Sequence, residues 1–193
     1  MPRGVARDHD EKRGALRKGA ARYFAQHGYD RASMTGAAKM CGVSKALLYH
    51  YYDSKEALLF DILQDHLADL VDRAEAARAE GIPGLVRGIL AAYADADAEH
   101  KLQIDALATL PPDLQAPLVA LQRELVALMA EAVRERRGDL DADHLRAATM
   151  SVFGVLNWFY MWHRPGKGLS RDQYAELASE FVLGGLAGLS ANG

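Results

Sequence analysis

The sequence predicts an all-α protein, and three observations support that prediction. Half of its 193 residues are apolar, Ala and Leu dominate, and only six are prolines, a composition that favours helices. Apolar residues recur at spacings of three and four along most of the chain, which is the period of an amphipathic helix. Sustained alternation and hairpin signals between apolar runs are both missing, so no strand is expected.

The N-terminal part contains the pattern of a helix-turn-helix motif. A first helix is predicted over about residues 8–26, where apolar side chains recur on one face. Thr35 can cap a short second helix, and Gly42 supplies the tight turn that follows it. Ser44 can cap the third helix, predicted over residues 45–50. These elements predict a three-helix head whose third helix has the form of a recognition helix.

The remaining predicted helices are separated by clear breakers. A capping box at residues 53–56 opens a long fourth helix, which a Gly-Ile-Pro-Gly segment after about residue 79 should end. Further Pro- and Gly-containing segments divide the rest into five helices, with Asp141 or Asp143 capping the eighth and Ser170 the ninth. The nine predicted helices span about residues 8–26, 35–41, 45–50, 54–79, 85–99, 102–110, 114–134, 143–162 and 170–190.

Charge is distributed unevenly along the chain. Residues 1–55 contain eleven Lys and Arg against five Asp and Glu, about +6, whereas the whole chain carries −3. Residues 56–193 must therefore carry about −9. A basic N-terminal module supplies the phosphate contacts that dominate affinity for DNA, although a basic helix surface in contact with solvent would show the same excess. Combined with the turn motif, the asymmetry predicts a DNA-binding head.

Six polar residues of this head are candidates for contact with DNA. The third helix directs Leu47 and Leu48 inward, so its other side chains can reach base edges in the major groove. Lys55 opens the fourth helix, whose positive N-terminal end is predicted to hold a phosphate. The predicted DNA-binding residues are Thr35, Ser44, Lys45, Tyr49, His50 and Lys55.

The run G-V-S-K-A-L-L-Y-H-Y-Y-D-S-K-E-A-L-L, residues 42–59, resembles the signature of the TetR family of one-component transcriptional regulators. The resemblance implies a DNA-binding domain over residues 1–55 and an effector-binding and dimerisation domain over residues 56–193. It also implies a homodimer that binds a palindromic operator in double-stranded DNA, generally as a repressor, and leaves it when a small effector binds. The sequence departs from the family pattern at four packing positions: Ala37, Cys41, Ala46 and Tyr52.

The last two predicted helices are apolar on more than one stripe and rich in small residues, Gly154, Gly184, Gly185 and Gly188 among them. A helix that is apolar nearly all round must be buried on most sides. A second copy of the chain could bury both helices in a four-helix bundle, which agrees with the dimer that the resemblance implies. The alternative is that the two helices fill the core of a monomer.

An aromatic run, N-W-F-Y-M-W-H-R from residue 157 to 164, predicts an effector site. It holds more aromatic surface than one helical face can bury, with polar ends and cations beside it, and small-ligand cavities are apolar with few polar groups. The segment resembles a subgroup of the family that responds to acyl-CoA thioesters; a sensor of hydrophobic drugs and an aromatic dimer core remain alternatives. The predicted effector-binding residues are Tyr93, Asn157, Trp158, Trp162, His163 and Arg164.

Catalytic motifs are missing from the sequence. It has no paired metal-binding histidines, no phosphate loop and no nucleophile elbow, and Cys41 is its single cysteine. Asp61 and Asp65 lie one turn apart, but such pairs usually face solvent. We therefore expect no enzyme, catalytic residue, cofactor or metal site, and a helical protein-binding adaptor is the alternative from another class. Without a signal peptide or an apolar run long enough to span a membrane, a cytoplasmic protein is expected.

Overall fold

The computed structural model describes the backbone of residues 3–164 and 166–190, and it confirms the all-α prediction. Ten α-helices and two short 3-10 turns dominate this part of the chain, and its β structure is one isolated bridge between Arg164 and Lys167. The helices are α1 Arg3–His27, α2 Met34–Met40, α3 Lys45–Tyr51, α4 Lys55–Ala77, α5 Gly81–Ala92, α6 Asp97–Asp105, α7 Pro112–Arg136, α8 Ala142–Asn157, α9 Phe159–Trp162 and α10 Arg171–Gly188.

The first of two compact units comprises the residues up to His66 together with Ala96–Val119. Within it, α1 packs against both α2 and α6, and α2 packs against α3. Each helix turns one apolar face inward, which is why apolar side chains at helical spacing form the core. Its buried core residues include Leu16, Ala20, Phe24, Leu48, Leu58, Leu59, Ile62 and Leu102.

The second unit comprises Leu67–Asp95 and the residues from Ala120 onward. In it α5 packs against α8 and α10, and α8 also contacts α10. Two glycines allow α5 to approach the end of α4: a Cβ atom at Gly84 would lie 2.4 Å from the carbonyl oxygen of Ala77, and one at Gly88 would lie 2.9 Å from that of Arg73. The buried core residues here include Leu85, Val86, Ile89, Met129, Val133, Val152, Leu156 and Phe159.

The boundary between the two compact units differs from the domain boundary that was predicted from the sequence. The boundary predicted after residue 55 lies at the first residue of α4, whereas the division of the chain into compact units falls inside this helix, between His66 and Leu67. The first half of α4 belongs with the head because its apolar side chains, such as Leu58 and Ile62, are buried in the first unit. The division into residues 1–55 and 56–193 therefore remains a proposal about sequence domains.

The bounds predicted for the fifth helix, residues 85–99, were wrong at both ends. The helix α5 begins at Gly81, whose φ of 63° lets the chain turn out of the preceding 3-10 turn, and it ends at Ala92. The Gly-Ile-Pro-Gly segment therefore starts a helix instead of forming a loop, since the first turn of a helix tolerates proline. Beyond it, Asp95 adopts a left-handed φ of 58° before α6 begins.

The helix predicted over residues 143–162 is interrupted. Its regular part, α8, ends at Asn157, and a short helix, α9, resumes at Phe159. The described residues consequently form ten α-helices where nine were predicted. The predicted caps at Asp141 and Ser170 are confirmed: the Asp141 carboxylate accepts a hydrogen bond from the backbone N–H of His144, and Ser170 forms a capping box with Gln173.

The described residues lack two further features, a membrane-spanning helix and a cluster of metal ligands. Their helices are either too short or too polar to cross a lipid bilayer. Nor do the side chains described there bring three or more His, Cys, Asp or Glu residues together in a way that could hold a metal ion.

Candidate nucleic-acid interface and effector region

The helices α2 and α3 form the helix-turn-helix that the sequence predicted. Gly42 takes a φ of 65° in the turn, and its N–H donates to the carbonyl oxygen of Lys39 at 3.1 Å. The next N–H, of Val43, donates to Ala38 at 3.0 Å. On α3, Leu48 is fully buried, so the helix is anchored along one side and presents the other to solvent.

The predicted contacts on α3 lie at its solvent-facing side. Lys45, Tyr49 and His50 are all exposed, and 40% of Tyr49 is accessible despite its large ring. The Lys45 ammonium lies 5.6 Å from the centre of the Tyr49 ring, which is close enough for a cation–π contact. Donors and an aromatic ring at the accessible side of a short helix are suited to reading base edges.

Ser44 and Thr35, the two residues predicted to cap the helices of the motif, have different roles in the structure. Ser44 is the N-cap of α3, as predicted, and accepts a hydrogen bond from the N–H of Leu47 at 3.1 Å. The predicted cap at Thr35 was wrong, because Ser33 caps α2 by accepting from the N–H of Gly36. Thr35 instead lies exposed in the first turn of α2, where its hydroxyl does not serve as the cap.

The ammonium of Lys55 makes its contacts inside the head. It donates to the carbonyl oxygens of Tyr29 at 3.0 Å and Ala32 at 3.2 Å, with Asp30 at 3.5 Å. It also lies 4.3 Å from the centre of the Tyr29 ring. The sequence suggested a phosphate contact because Lys55 opens α4, and that contact stays a prediction.

Asp61 is a buried charge that sequence reasoning placed on a solvated face. Only 10% of its side chain is accessible. It accepts a paired contact from Arg13, at 3.0 Å and 2.6 Å, and a hydrogen bond from the Tyr52 hydroxyl at 2.6 Å. Burial and the bond to Asp61 raise the pKa of Tyr52 above its ordinary range. Asp61 lies three residues after Leu58, which places it on the apolar stripe of α4. This spacing was the signal in the sequence that could have shown its burial.

Arg17 extends this network toward solvent. One guanidinium nitrogen lies 3.5 Å from Asp61, and another lies 2.8 Å from Asp65, whose side chain is 55% accessible. The carboxylates of α4 thus hold two arginines of α1. These cations are committed within the head, so the basic excess of residues 1–55 overstates what is available to DNA phosphates.

In the second unit, two of the predicted effector residues are in direct contact. The buried hydroxyl of Tyr93 donates to the side-chain oxygen of Asn157 at 2.7 Å. Burial raises the pKa of Tyr93 far above its ordinary value, so the phenol stays protonated and can donate. This pair joins the end of α5 to the end of α8.

The aromatic run is organised around Phe159, which is 1% exposed. The rings of His163 and Tyr174 stack on it at centroid distances of 4.3 and 4.5 Å, and Trp162 meets it edge-on at 5.1 Å. The Arg171 guanidinium lies 4.9 Å from its centre. Tyr174 and Arg171 were missed by the sequence analysis because they lie on α10, beyond the local run.

The remaining predicted effector residues lie at the surface of the chain. Trp158 is 61% and Trp162 50% exposed, so neither ring is enclosed within one copy of the protein. Arg164 is exposed and donates to the carbonyl oxygens of His163 at 3.0 Å and Met161 at 3.4 Å. The assignment of all six residues to an effector site stays a prediction.

Comparison with protein families decides the class of the chain. Residues 16–62 match the family model described as "Bacterial regulatory proteins, tetR family". Residues 75–186 match the model described as "Tetracyclin repressor-like, C-terminal domain". The chain belongs to the TetR family. As a TetR-family protein it is a DNA-binding transcriptional regulator, and the resemblance seen at residues 42–59 is confirmed.

Two relatives of this TetR-family chain differ in the direction of control that they exert. The chain is 30% identical over 154 residues to the "HTH-type transcriptional repressor Rv1474c" of Mycobacterium tuberculosis, covering 76% of this chain and 80% of that one. It is 28% identical over 191 residues to the "HTH-type transcriptional activator FasR" of Mycolicibacterium smegmatis, covering 96% and 87%. Membership alone therefore does not fix the direction of control.

Two solved structures share the fold of this TetR-family chain. A TetR-family regulator from Bordetella parapertussis superposes with a TM-score of 0.84 at 32% identity, covering 93% of this chain and 98% of that one. AibR, solved with isovaleryl coenzyme A and operator DNA, superposes with a TM-score of 0.72 at 23% identity, covering 88% and 97%. The second likeness shows the fold alone.

Proposed function

We propose that this TetR-family regulator is a cytoplasmic homodimeric repressor that binds a palindromic operator and is released from it by an acyl-CoA thioester. The observation that supports operator reading is the exposed side of α3, where Lys45, Tyr49 and His50 lie together while Leu48 anchors the helix. The similarity to a mycobacterial repressor supports repression.

An uncovered apolar face supports the dimer. On α10, Leu177 and Phe181 are 51% and 69% exposed, and Gly185 has open space around it. On α8, Met150 is 50% exposed. Exposed apolar patches of this kind mark interaction surfaces, and two copies of the two-helix face would bury them in a four-helix bundle. A two-fold dimer would require a palindromic operator.

The chemistry of the second unit supports the effector class. The Tyr93–Asn157 pair and the Phe159 cluster place an apolar, aromatic region beside the cations Arg164 and Arg171. An acyl group would contact aromatic surface, and cations would attract the phosphates of coenzyme A. AibR, a protein of the same fold, was solved in complex with isovaleryl coenzyme A, a ligand of this class.

Selection of binding sites from random DNA tests operator reading. The wild-type protein should enrich a palindrome, and replacing both Lys45 and Tyr49 by Ala should weaken binding to it at least tenfold while changing affinity for random DNA much less, because phosphate contacts carry no sequence information. Replacing Lys101 by Ala on α6 is the control and should leave both affinities unchanged. Full operator affinity in the double variant would show that α3 is not the reading helix.

Calorimetry and operator release test the effector. A panel of acyl-CoA thioesters and the matching free acids should show that only a thioester displaces the protein from its operator. Replacing Arg164 by Ala should weaken that effect without changing operator affinity, whereas replacing Arg134, which is exposed on α7, should change neither. If no thioester binds and a hydrophobic drug-like cation does, the acyl-CoA assignment is wrong. Operator binding that requires the ligand would contradict release of the operator by the ligand.

A further inference from the structure

The carboxylate of Asp61 is surrounded by three side chains from two other parts of the head. Arg13 and Arg17 approach it from α1, and the Tyr52 hydroxyl approaches it from the residue that directly follows the recognition helix. A buried carboxylate is stable only when its oxygens are paired and hydrogen-bonded. Asp61 therefore depends on each of these partners, and their contacts restrict movement of α1 and of the end of α3 relative to α4.

Tyr52 is the C-cap of α3, and its own N–H donates to the carbonyl oxygen of Leu48. Tyr52 is 4% exposed, and its hydroxyl donates to Asp61, which lies nine residues later in the chain. The end of α3 is thus tied to α4 by a bond of 2.6 Å between charged and neutral oxygens, a class stronger than ordinary hydrogen bonds. The preceding residue, Tyr51, stacks on His9 of α1 at 4.8 Å.

We infer that Asp61 is a positioning residue for operator reading, which holds the end of α3 through Tyr52 and fixes that end against α1 through Arg13. The inference rests on the proposed operator reading and assigns Asp61 no contact with DNA. Base readout requires side chains on α3 to meet base edges within a few tenths of an ångström, whereas phosphate contacts tolerate small rotations. Loosening the end of α3 should consequently reduce specific binding more than nonspecific binding.

Replacement of Tyr52 by Phe tests this directly, because it deletes the bond to Asp61 and keeps the buried ring. Affinity is measured for a palindrome selected from random DNA by the wild-type protein and for a scrambled duplex, well below the thermal midpoint of each variant. We expect roughly tenfold weaker binding to the palindrome, less than twofold change on the scrambled duplex, and an unchanged salt slope. Replacing Asp65 by Asn removes only the outer contact of Arg17 and should leave both affinities unchanged.

A second variant separates positioning from stability. Replacement of Asp61 by Asn should weaken palindrome binding at least as much, and adding the Tyr52 change to it should have little further effect, since both act through one carboxylate. Equal losses on both duplexes, no loss on either, or additive effects of the two changes would overturn the assignment of Asp61. Failure of the wild-type protein to select any sequence would instead overturn the proposed operator reading on which it rests.

Discussion

At the scale of single residues, the ammonium of Lys55 connects the start of α4 to the loop after α1. Its contacts with three carbonyl oxygens predict a role in stability. Replacing Lys55 by Met, which keeps the aliphatic stem, should lower the free energy of unfolding by about 1–2 kcal/mol, because hydrogen bonds from a charged donor are lost from a half-buried site. Urea unfolding measures the change.

The same variant distinguishes this role from the phosphate contact that the sequence suggested. A lysine that holds a phosphate would reduce the salt slope of DNA binding by about one when replaced. We expect the slope to stay constant in the folded Lys55 variant. Replacing the exposed Lys39 by Met is the control for stability and should leave the urea midpoint unchanged. A constant midpoint with a reduced slope for Lys55 would support the phosphate contact instead of the role in stability.

His66 predicts how the stability of the first unit depends on pH. Burial, with the charges of His100 and Lys18, lowers its pKa from 6.5 to about 3. Between these values the unfolded chain binds the additional proton, so His66 should make stability fall as the pH decreases from about 7 toward 3, by up to about 1.4 kcal/mol per unit. His66→Gln should flatten this dependence, and His27→Gln, at an exposed site, should not. An unchanged slope in His66→Gln would contradict the assignment.

Local chemistry explains which residue roles could be predicted from sequence. The caps at Ser44, Asp141 and Ser170 depend on neighbours three positions away, so the sequence reveals them. Lys55 depends on carbonyl groups 23 to 26 positions away, and Asp61 depends on Arg13, 48 positions away, so no periodicity encodes which segment will lie opposite. The exposed side of α3 was predictable because Leu47 and Leu48 leave only one face of a short helix for DNA.

At the scale of elements, the contact between α4 and α5 predicts a large effect of a small substitution. A methyl group at Gly84 would meet the backbone oxygen of Ala77, which cannot move without shifting α4. Gly84→Ala should therefore lower the free energy of unfolding by about 1–3 kcal/mol. Gly14→Ala, on α1, meets nothing closer than 4.0 Å and should raise it by about 0.5–1 kcal/mol. Equal effects in calorimetric scans would show that α4 and α5 are not in close contact.

The observed helix boundaries show that Gly and Pro residues alone do not predict where a helix begins or ends. Glycine and proline at residues 81–84 looked like a stop, but their positions at the start of α5 suit the first turn of a helix equally well. The break at Trp158 could not be predicted in this way, because the sequence there contains neither Gly nor Pro. Packing accounts for this break, since Phe159 is buried among Trp162, His163 and Tyr174 instead of continuing the stripe of α8.

At the scale of the whole molecule, the uncovered face of α10 predicts assembly through a second copy. Gly185 has open space around it, so Gly185→Arg should fold as a single chain and yet fail to dimerise. We expect a monomer by light scattering and at least hundredfold weaker binding to a palindrome, because the two heads would no longer be linked. The control, Ala187→Arg, lies on the face of α10 that also carries the exposed Glu176 and Glu180.

The control variant should remain a dimer with full affinity for the palindrome. If the Gly185 variant is also dimeric, the partner surface lies elsewhere on the chain. A wild-type protein that is a monomer at all concentrations would contradict the bundle altogether. Charge is expected to assist assembly little, since Leu177, Phe181 and the glycines of α10 lack ionised groups.

The break between α8 and α9, together with α9 itself, has a practical consequence, because the two contain all the tryptophan of the protein. Trp158 and Trp162 are the two tryptophans of the chain, and both are at least half exposed. Their emission is therefore a reporter confined to the second unit, which requires no added dye. A ligand that covers the aromatic run should shift this emission to shorter wavelength, whereas a duplex bound at the tryptophan-free head has no tryptophan there to perturb. One cuvette could thus record effector occupancy separately from occupancy of the DNA.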